Sequence, residues 1–312
     1  MKISETQIEQ ISSILETPPL RGVPLKNLTS FRVGGPADVV AFPREPVSFA
    51  RLLSFVKDEG IRYFVLGSGT NVLFDDNGFR GLVVTPLRMK RLSVERNGSG
   101  LTRITAQAGT PLPLVVSRAC RLGLTGMESL WGIPGSVGGA VACNAGASGL
   151  SVADLTTKLE LVNTDGKTTE LKKGDFEYGY RFCNLPPDSA VLQASFELYP
   201  ADSNEIERKL QEVKTRRRLT QPRGYPNAGC VFKNPATDIP AGALIEKLGF
   251  KGTSCGGAEV SKVHANFIIN RNKAKARDIL FLINKIVEAA QKETGVVLEL
   301  EIRHVKSSED HV

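Results

Sequence analysis

Residues 67–84 read Gly67-Ser68-Gly69-Thr70-Asn71-Val72-Leu73-Phe74-Asp75-Asp76-Asn77-Gly78-Phe79-Arg80-Gly81-Leu82-Val83-Val84, and the fold turns on the residues that come after the first five. The apolar run Tyr63-Phe64-Val65-Leu66 before them reads as a short buried strand. A dinucleotide fold of the Rossmann kind needs Gly-x-Gly-x-x-Gly opening a helix. Position 72 is Val, and the continuation reads strand, turn, strand. The glycine turn therefore links strands and caps no helix.

Downstream lies a second small-residue stretch, residues 132–147: Gly-Ile-Pro-Gly-Ser-Val-Gly-Gly-Ala-Val-Ala-Cys-Asn-Ala-Gly-Ala. It is too rich in glycine for the interior of a helix or strand. Tight bends with exposed N–H groups form anion-binding concavities. Neither turn contains Lys or Arg, so backbone amides would do the holding. The plainer alternative is a pair of tight turns. With Asn71 and Asn144 added, we read the pair as a cradle for a pyrophosphate.

The totals set bounds. At 312 residues, 41% hydrophobic and 23% charged, the chain has the length for two or three globular domains. The net charge of +7 suits anionic small molecules. Its densest cluster, Arg216-Arg217-Arg218, closes a predicted helix and reads as a solvated face or a helix-dipole partner. Few aromatics interleave it, so nucleic-acid binding is not expected. The five cysteines (Cys120, Cys143, Cys183, Cys230, Cys255) are scattered, which argues against a zinc site and a disulfide framework. No run approaches membrane-spanning length, and no charged-then-apolar leader pattern opens the chain. The expected compartment is the cytoplasm.

Periodicity orders the rest. Ile8, Ile11 and Leu15 predict a helix over 5–16. Phe49, Leu52, Leu53 and Val56 fall at i, i+3, i+4, i+7, an amphipathic helix closed by Gly60. Residues 104–108 alternate, and Leu112, Val115, Val116 and Ala119 make a further helix stopped by Gly123. Strands at 159–163 and 168–171 flank Thr164-Asp165-Gly166-Lys167, a hairpin turn. A strand at 191–198 leads to a turn-rich boundary at 200–204. Beyond it come a helix bearing Ile206, Leu210 and Val213, a loop at 221–235, a short helix at 241–248, and a long one marked by Ala276, Ile279, Ile283, Ile286, Val287 and Ala290. A strand at 296–302 closes the pattern.

Three groups could carry chemistry. Tyr180-Arg181 presents a rigid, bidentate cation, or else a surface Arg beside core tyrosines. Asn227-Ala228-Gly229-Cys230-Val231-Phe232-Lys233-Asn234-Pro235 places one protic side chain among small residues. A thiol with a pKa of ~8.5 is mostly protonated at neutral pH and can donate; a buried hydrophobe is its commoner fate. In Leu298-Glu299-Leu300-Glu301-Ile302, period-two alternation puts both carboxylates on one face. That is a solvated edge, or one working acid beside one in water. His264 reads as a structural or substrate-contacting side chain, since no second ligand stands at metal-binding spacing.

In chain order, residues 29–38, 67–71 with 81–84, 132–147, Tyr180-Arg181, 227–235, Gly256-Gly257-Ala258-Glu259-Val260-Ser261 with His264-Ala265-Asn266, and 298–301 resemble the UDP-N-acetylenolpyruvoylglucosamine reductases, also called UDP-N-acetylmuramate dehydrogenases. The resemblance spans residues 22–305. The short spacing from Arg181 to Asn227 matches the subtype without a tyrosine-bearing insertion. It implies an α+β protein: an FAD-binding half of two α+β subdomains of the vanillyl-alcohol-oxidase (PCMH) type, then a C-terminal α+β substrate domain. The sections would be a helical extension at 1–20, FAD-binding subdomains at 21–85 and 86–200, a substrate-binding domain at 201–305 and a polar tail at 306–312.

The resemblance also implies roles. Gly67, Ser68, Gly69, Thr70, Asn71, Pro134, Gly135, Ser136, Gly138, Gly139, Asn144, Ala145 and Gly146 would hold FAD. Relatives of the FAD half often attach the cofactor through His. None of the three histidines here lies in that half, so a dissociable FAD is expected. NADPH would reduce the flavin. UDP-N-acetylglucosamine enolpyruvate would then take hydride at C3 and a proton at C2, giving UDP-N-acetylmuramate for peptidoglycan. Arg181 and Glu301 would stabilise the enolate-like charge; Glu301 precedes the Ile302-Arg303 pair that marks the family's glutamate. Cys230 would give the proton where most members have Ser. Tyr180, Lys233, Asn234 and His264 would contact substrate. Phe182-Cys183 replaces a Ser usually near the arginine. Thr220 stands where many members have Lys, with Arg218 or Arg223 as substitutes. A monomer is expected. A flavin oxidase with the same FAD domain, or a nucleotide-binding protein without catalysis, are the other readings.

Overall fold

The computed structural model of the chain describes residues 3–96, 100–236 and 238–307. The expected polar tail at 306–312 lies outside the described residues from 308 on. The chain packs into two compact units and passes from one to the other five times, after Leu20, Asp38, Ser68, Arg80 and Arg217. Unit 1 comprises the segment ending at Leu20, then Val39–Ser68 and Gly81–Arg217; unit 2 comprises Arg21–Asp38, Gly69–Arg80 and the segment from Arg218 onward. No described helix is long and apolar enough to cross a membrane.

Unit 1 holds two cores. In the first, helix Pro46–Asp58 buries Phe49, Leu52, Leu53 and Val56, the residues its spacing predicts. Proline at its first turn costs no hydrogen bond there. Helix Glu5–Leu15 starts in a capping box of Ser4 and Gln7 and adds Ile8, Ile11 and Leu15 to the same core. Both cover a small sheet in which Tyr63–Val65 runs parallel to Phe79–Val84, pairing Tyr63 with Leu82 and Val65 with Val84.

The second core lies on an antiparallel sheet ordered Thr168–Lys172, Thr156–Asn163, Ser189–Pro200, Thr102–Gln107, Leu92–Arg96. The predicted hairpin closes as expected. Asn163 Oδ1 accepts the Asp165 and Lys167 amides, each at 3.0 Å, and Gly166 takes φ +74°. Helix Leu112–Arg121 packs Leu112, Val115, Val116 and Ala119 against this sheet.

One expectation fails here. Residues 132–147 are not wholly turn: Val137–Ala142 is a short α-helix that includes Gly138 and Gly139. The reason is tertiary. A Cβ on Gly138 would lie 2.8 Å from Ala108 Cβ, so the helix can press on the sheet only because the side chain is missing. That contact overrides glycine's poor helix propensity.

In unit 2, helices Ala241–Lys247 and Ala276–Thr294 pack on a three-stranded antiparallel sheet of Ser254–Cys255, Ala258–Val260 and Ile268–Asn270. Leu244, Ile279, Ile283 and Ile286 meet Val231, Phe232, Val260 and Ile268 in its core. Val72–Phe74 runs parallel to Arg303–Val305. Two adjacent acids anchor this arrangement. Asp75 accepts from His304 Nε2 at 2.7 Å and the Ser307 amide at 3.0 Å; Asp76 accepts the Ala276 and Arg277 amides at 2.8 and 3.1 Å, capping the long helix.

The expected strand at 296–302 is also corrected. The chain there makes only an isolated bridge, Leu300 to Phe232, and bends at 301–302. The amides of Glu301 and Ile302 both turn to Val231 O, at 2.8 and 3.4 Å. Two consecutive amides on one carbonyl cannot propagate a ladder, and regular pairing begins only at Arg303. The expected alternation survives in part: Leu298 and Ile302 are buried and Glu299 is exposed.

Candidate functional site

Unit 1 brings the two glycine segments together. A Cβ on Gly67 would lie 2.6 Å from Ser136 Oγ and 3.7 Å from Gly139 Cα. A Cβ on Gly139 would lie 3.4 Å from the same hydroxyl. Ser136 is buried at the start of helix Val137–Ala142, yet its hydroxyl has no hydrogen-bond partner among the described residues. A buried hydroxyl without a partner costs about 1–3 kcal/mol. A phosphate oxygen would relieve that cost, and glycines on both sides leave backbone room for it. These residues fit a flavin pyrophosphate. Gly135, at φ +140°, gives its carbonyl to the Leu112 amide at 2.9 Å, which holds Pro134-Gly135 beside the cradle.

The rest of the stretch carries the arginine. Tyr178–Gly179 and Phe182–Cys183 pair as a hairpin, so Tyr180-Arg181 is its two-residue turn. Arg181 takes φ +56°, a conformation L side chains rarely adopt. Asn144 grips the hairpin: its Nδ2 donates to Gly179 O at 2.8 Å and its Oδ1 accepts the Ala153 amide at 3.0 Å. Its side chain is thus committed to backbone. Arg181 Nη1 donates to Gly146 O at 3.0 Å, and its guanidinium lies 5.4 Å from the Tyr180 ring centre. Ala145 joins in through its amide, donated to Ala140 O at 2.8 Å. Tyr178, Tyr180 and Phe182 are all exposed, not core.

The arginine cluster has a use that composition hides. Arg217 Nη2 donates to Gly132 O at 2.7 Å, and Arg216 Nη1 to Ser148 Oγ at 3.0 Å. Lys214 lies 5.4 Å from the Trp131 ring centre. The last turns of helix Ser203–Thr220 therefore tie down both ends of the glycine stretch. The expected solvated face is corrected to that extent.

Unit 2 holds Cys230 and Glu301 on adjoining segments. The Glu301 amide donates to Val231 O at 2.8 Å, and the Val231 amide to Asn266 O at 2.8 Å. Buried Asn266 also accepts the Phe232 amide at 2.9 Å and donates Nδ2 to Phe232 O at 2.8 Å. Cys230 and Glu301 are both half-buried, and none of the five cysteines is in a disulfide. Asn227 shapes the approach, donating to Tyr225 O at 2.9 Å and accepting from Gly229 at 3.0 Å.

The expected substrate contacts already have partners. Lys233 Nζ pairs with Glu299 at 3.2 Å, and Asn234 Oδ1 accepts the Ala241 amide at 3.1 Å. His264 Nδ1 accepts the Asn266 amide at 3.2 Å, so the neutral ring carries its proton on Nε2. Burial, aided by the charge of Lys251, holds the His264 pKa below its usual value. Sequence reading assigned no role to Asn266 or Asn270. The Asn266 and Asn270 side chains serve backbone far away in sequence, as with Asn270 Nδ2 to Phe31 O at 2.9 Å. The sequence signals were slight: Asn266 closes the motif His264-Ala265-Asn266, and Asn270 follows the apolar pair Ile268-Ile269.

A family model described as "FAD binding domain" matches residues 37–172, and one described as "UDP-N-acetylenolpyruvoylglucosamine reductase, C-terminal domain" matches residues 221–305. The chain is 37% identical over 295 residues to the UDP-N-acetylenolpyruvoylglucosamine reductase of Carboxydothermus hydrogenoformans, covering 94% of this chain and 96% of that one. It is 42% identical over 303 residues to the protein of that name from Synechococcus sp., covering 95% and 96%. A crystal structure of UDP-N-acetylenolpyruvylglucosamine reductase from Thermus caldophilus superposes with a TM-score of 0.77 at 35% identity, over 90% of this chain and 97% of that one.

Proposed function

The chain belongs to the UDP-N-acetylenolpyruvoylglucosamine reductase family and is an FAD-dependent oxidoreductase, and from that premise we propose that it reduces UDP-N-acetylglucosamine enolpyruvate to UDP-N-acetylmuramate with NADPH. The observation that carries this reading is the Glu301 to Val231 hydrogen bond at 2.8 Å. It sets a carboxylate and the Cys230 thiol on adjoining segments, the pair needed to steady a developing enolate and protonate it.

When bound, FAD would supply two-electron redox chemistry between a nicotinamide and the substrate. Ser136 and the glycine backbones of 67–69 and 135–139 would hold its pyrophosphate. Arg181 receives the negative charge that develops on the substrate carboxylate once C3 has gained hydride. Glu301 steadies the same intermediate. The Cys230 thiol then gives its proton to C2, and the thiolate left behind is reprotonated from water. Lys233, Asn234, Tyr180 and His264 contact the nucleotide sugar. The FAD half is drawn from the expected 21–85 and 86–200 sections without 21–38 and 69–80, which pack with the section from Arg218 onward that serves substrate, in a monomeric, cytoplasmic enzyme whose FAD is not covalently attached.

Visible absorption tests the reading. The flavin band should bleach with anaerobic NADPH and return on adding UDP-N-acetylglucosamine enolpyruvate. Return with oxygen alone would replace the reading with an oxidase. In Cys230→Ala, bleaching by NADPH should persist while UDP-N-acetylmuramate formation falls about a hundredfold or more. Unchanged turnover would remove Cys230 from its role.

A further inference from the structure

Asn71 closes the first glycine turn, where its sequence position points to the cofactor. Its side chain is engaged elsewhere. Asn71 Nδ2 donates to Glu301 O at 3.0 Å, and Asn71 O accepts the Arg303 amide at 2.9 Å. The orientation of the side-chain amide follows from chemistry, since a carbonyl can only accept. We propose that Asn71 is a positioning residue for Glu301, coupling the glycine turn to the carboxylate that serves the substrate.

The backbone around Glu301 explains the need. Residues 296–302 have no ladder, and regular pairing starts only at Arg303 beside Val72. Glu301 therefore lies two residues before the strand that would otherwise fix it. Its amide is held by Val231 O at 2.8 Å and its carbonyl by Asn71 Nδ2. With both peptide groups anchored, the direction of the Cα–Cβ bond is set, and with it the reach of the carboxylate. The asparagine amide stands in for the missing rung.

Val231 in turn is anchored through its own amide to Asn266 O at 2.8 Å. A single hydrogen-bonded row therefore runs from Asn71 through Glu301 and Val231 to Asn266, with Cys230 next to its third member. Of the two ends, Asn266 serves the thiol segment and Asn71 serves the carboxylate. Aspartate at 71 would keep the shape, lose the donor and set a carboxylate against a carbonyl. Small displacements of a catalytic group are costly to rate, so the effect belongs in the step that uses Glu301.

This inference rests on the proposed function, and the test separates the two. Asn71→Asp, Asn71→Ala, Glu301→Gln and the double variant Asn71→Asp/Glu301→Gln are prepared with FAD. Anaerobic stopped-flow then follows bleaching by NADPH and reoxidation by UDP-N-acetylglucosamine enolpyruvate. Flavin content and bleaching should stay within about twofold of the parent, while reoxidation slows by about tenfold or more in both single Asn71 variants. On the Glu301→Gln background, Asn71→Asp should add less than about twofold, because it acts through the group already removed. Hydrogen exchange in the segment 299–305 should quicken in Asn71→Ala. Intact reoxidation, additive losses, unchanged exchange, or flavin content and both half-reactions falling together would each overturn the role. A parent whose flavin the sugar fails to reoxidise would overturn the function itself, and this inference with it.

Discussion

Residues 132–147 in unit 1, on either side of the short helix Val137–Ala142, and 227–235 in unit 2 run largely without regular structure, and they are held by opposite means. The first stretch is held by what it lacks. Side chains at Gly138, Gly146 and Gly132 would run into Ala108 Cβ at 2.8 Å, Leu150 O at 2.6 Å and Arg217 Nε at 3.0 Å. The second is held by what it and its surroundings supply: amide side chains of Asn227, Asn234 and Asn266 that take over backbone partners. Its own Gly229 faces open space and is needed for its φ of +78° alone. Glycine thus marks where another part of the chain presses close. Asparagine marks where irregular backbone needs a partner.

Asn266→Ala should show the largest effect. It strands the amide and carbonyl of buried Phe232 together, at about 3 kcal/mol or more; urea unfolding measures it. A loss below that of any glycine variant would break the comparison. Gly138→Ala should cost about 1–3 kcal/mol through crowding, less the gain in helix propensity. It should also lower FAD content, whereas Gly229→Ala should leave FAD content alone. Equal effects of the two glycine variants on flavin binding would show that crowding does not distinguish the regions.

The smallest effect is that of His264, beside the asparagine row. Burial lowers its pKa in the fold, so the folded state favours the neutral ring. Its contribution to stability is complete above the unfolded value of about 6.5 and is lost as pH falls below that. Replacing it in His264→Gln should flatten the acid side of a plot of Tm against pH, by less than about 1 kcal/mol at pH 5.5. An unchanged slope would leave the ring without that role.

Elements whose pattern is local were legible. Phe49, Leu52, Leu53 and Val56 share one helix face whatever lies opposite, and Asp165-Gly166 turns a hairpin by its own chemistry. The helix Val137–Ala142 was not legible, because propensity argued against it and the sheet pressing on it lies elsewhere in the chain. The strand expected at 296–302 failed for a related reason: Val231 O drew two amides at once. In the site, motif order picked out Arg181, Cys230 and Glu301 as residues. It carried no hint that Asn144 and Gly146 grip the arginine hairpin, or that Arg216 and Arg217 brace the glycine stretch. A side chain's partner across the chain leaves no local trace.

The five passages of the chain between its units bear on how it is made. Segments 21–38 and 69–80 are synthesised early, but they belong to unit 2, whose remainder begins at Arg218. Asp75 and Asp76 must wait for His304 and Ala276, separated from them by 229 and 200 positions. Until then Phe31, Val33 and Leu73, all buried in the finished core, lack the larger part of that core, which is supplied from Ala228 onward. Long closures of this kind slow folding and expose apolar surface while it proceeds. The two early segments can pair with each other, Ser30 with Gly69 and Gly35 with Asp75, each through an amide at 2.9 Å, but through most of elongation they lack the rest of their core, a period in which holding chaperones have something to bind.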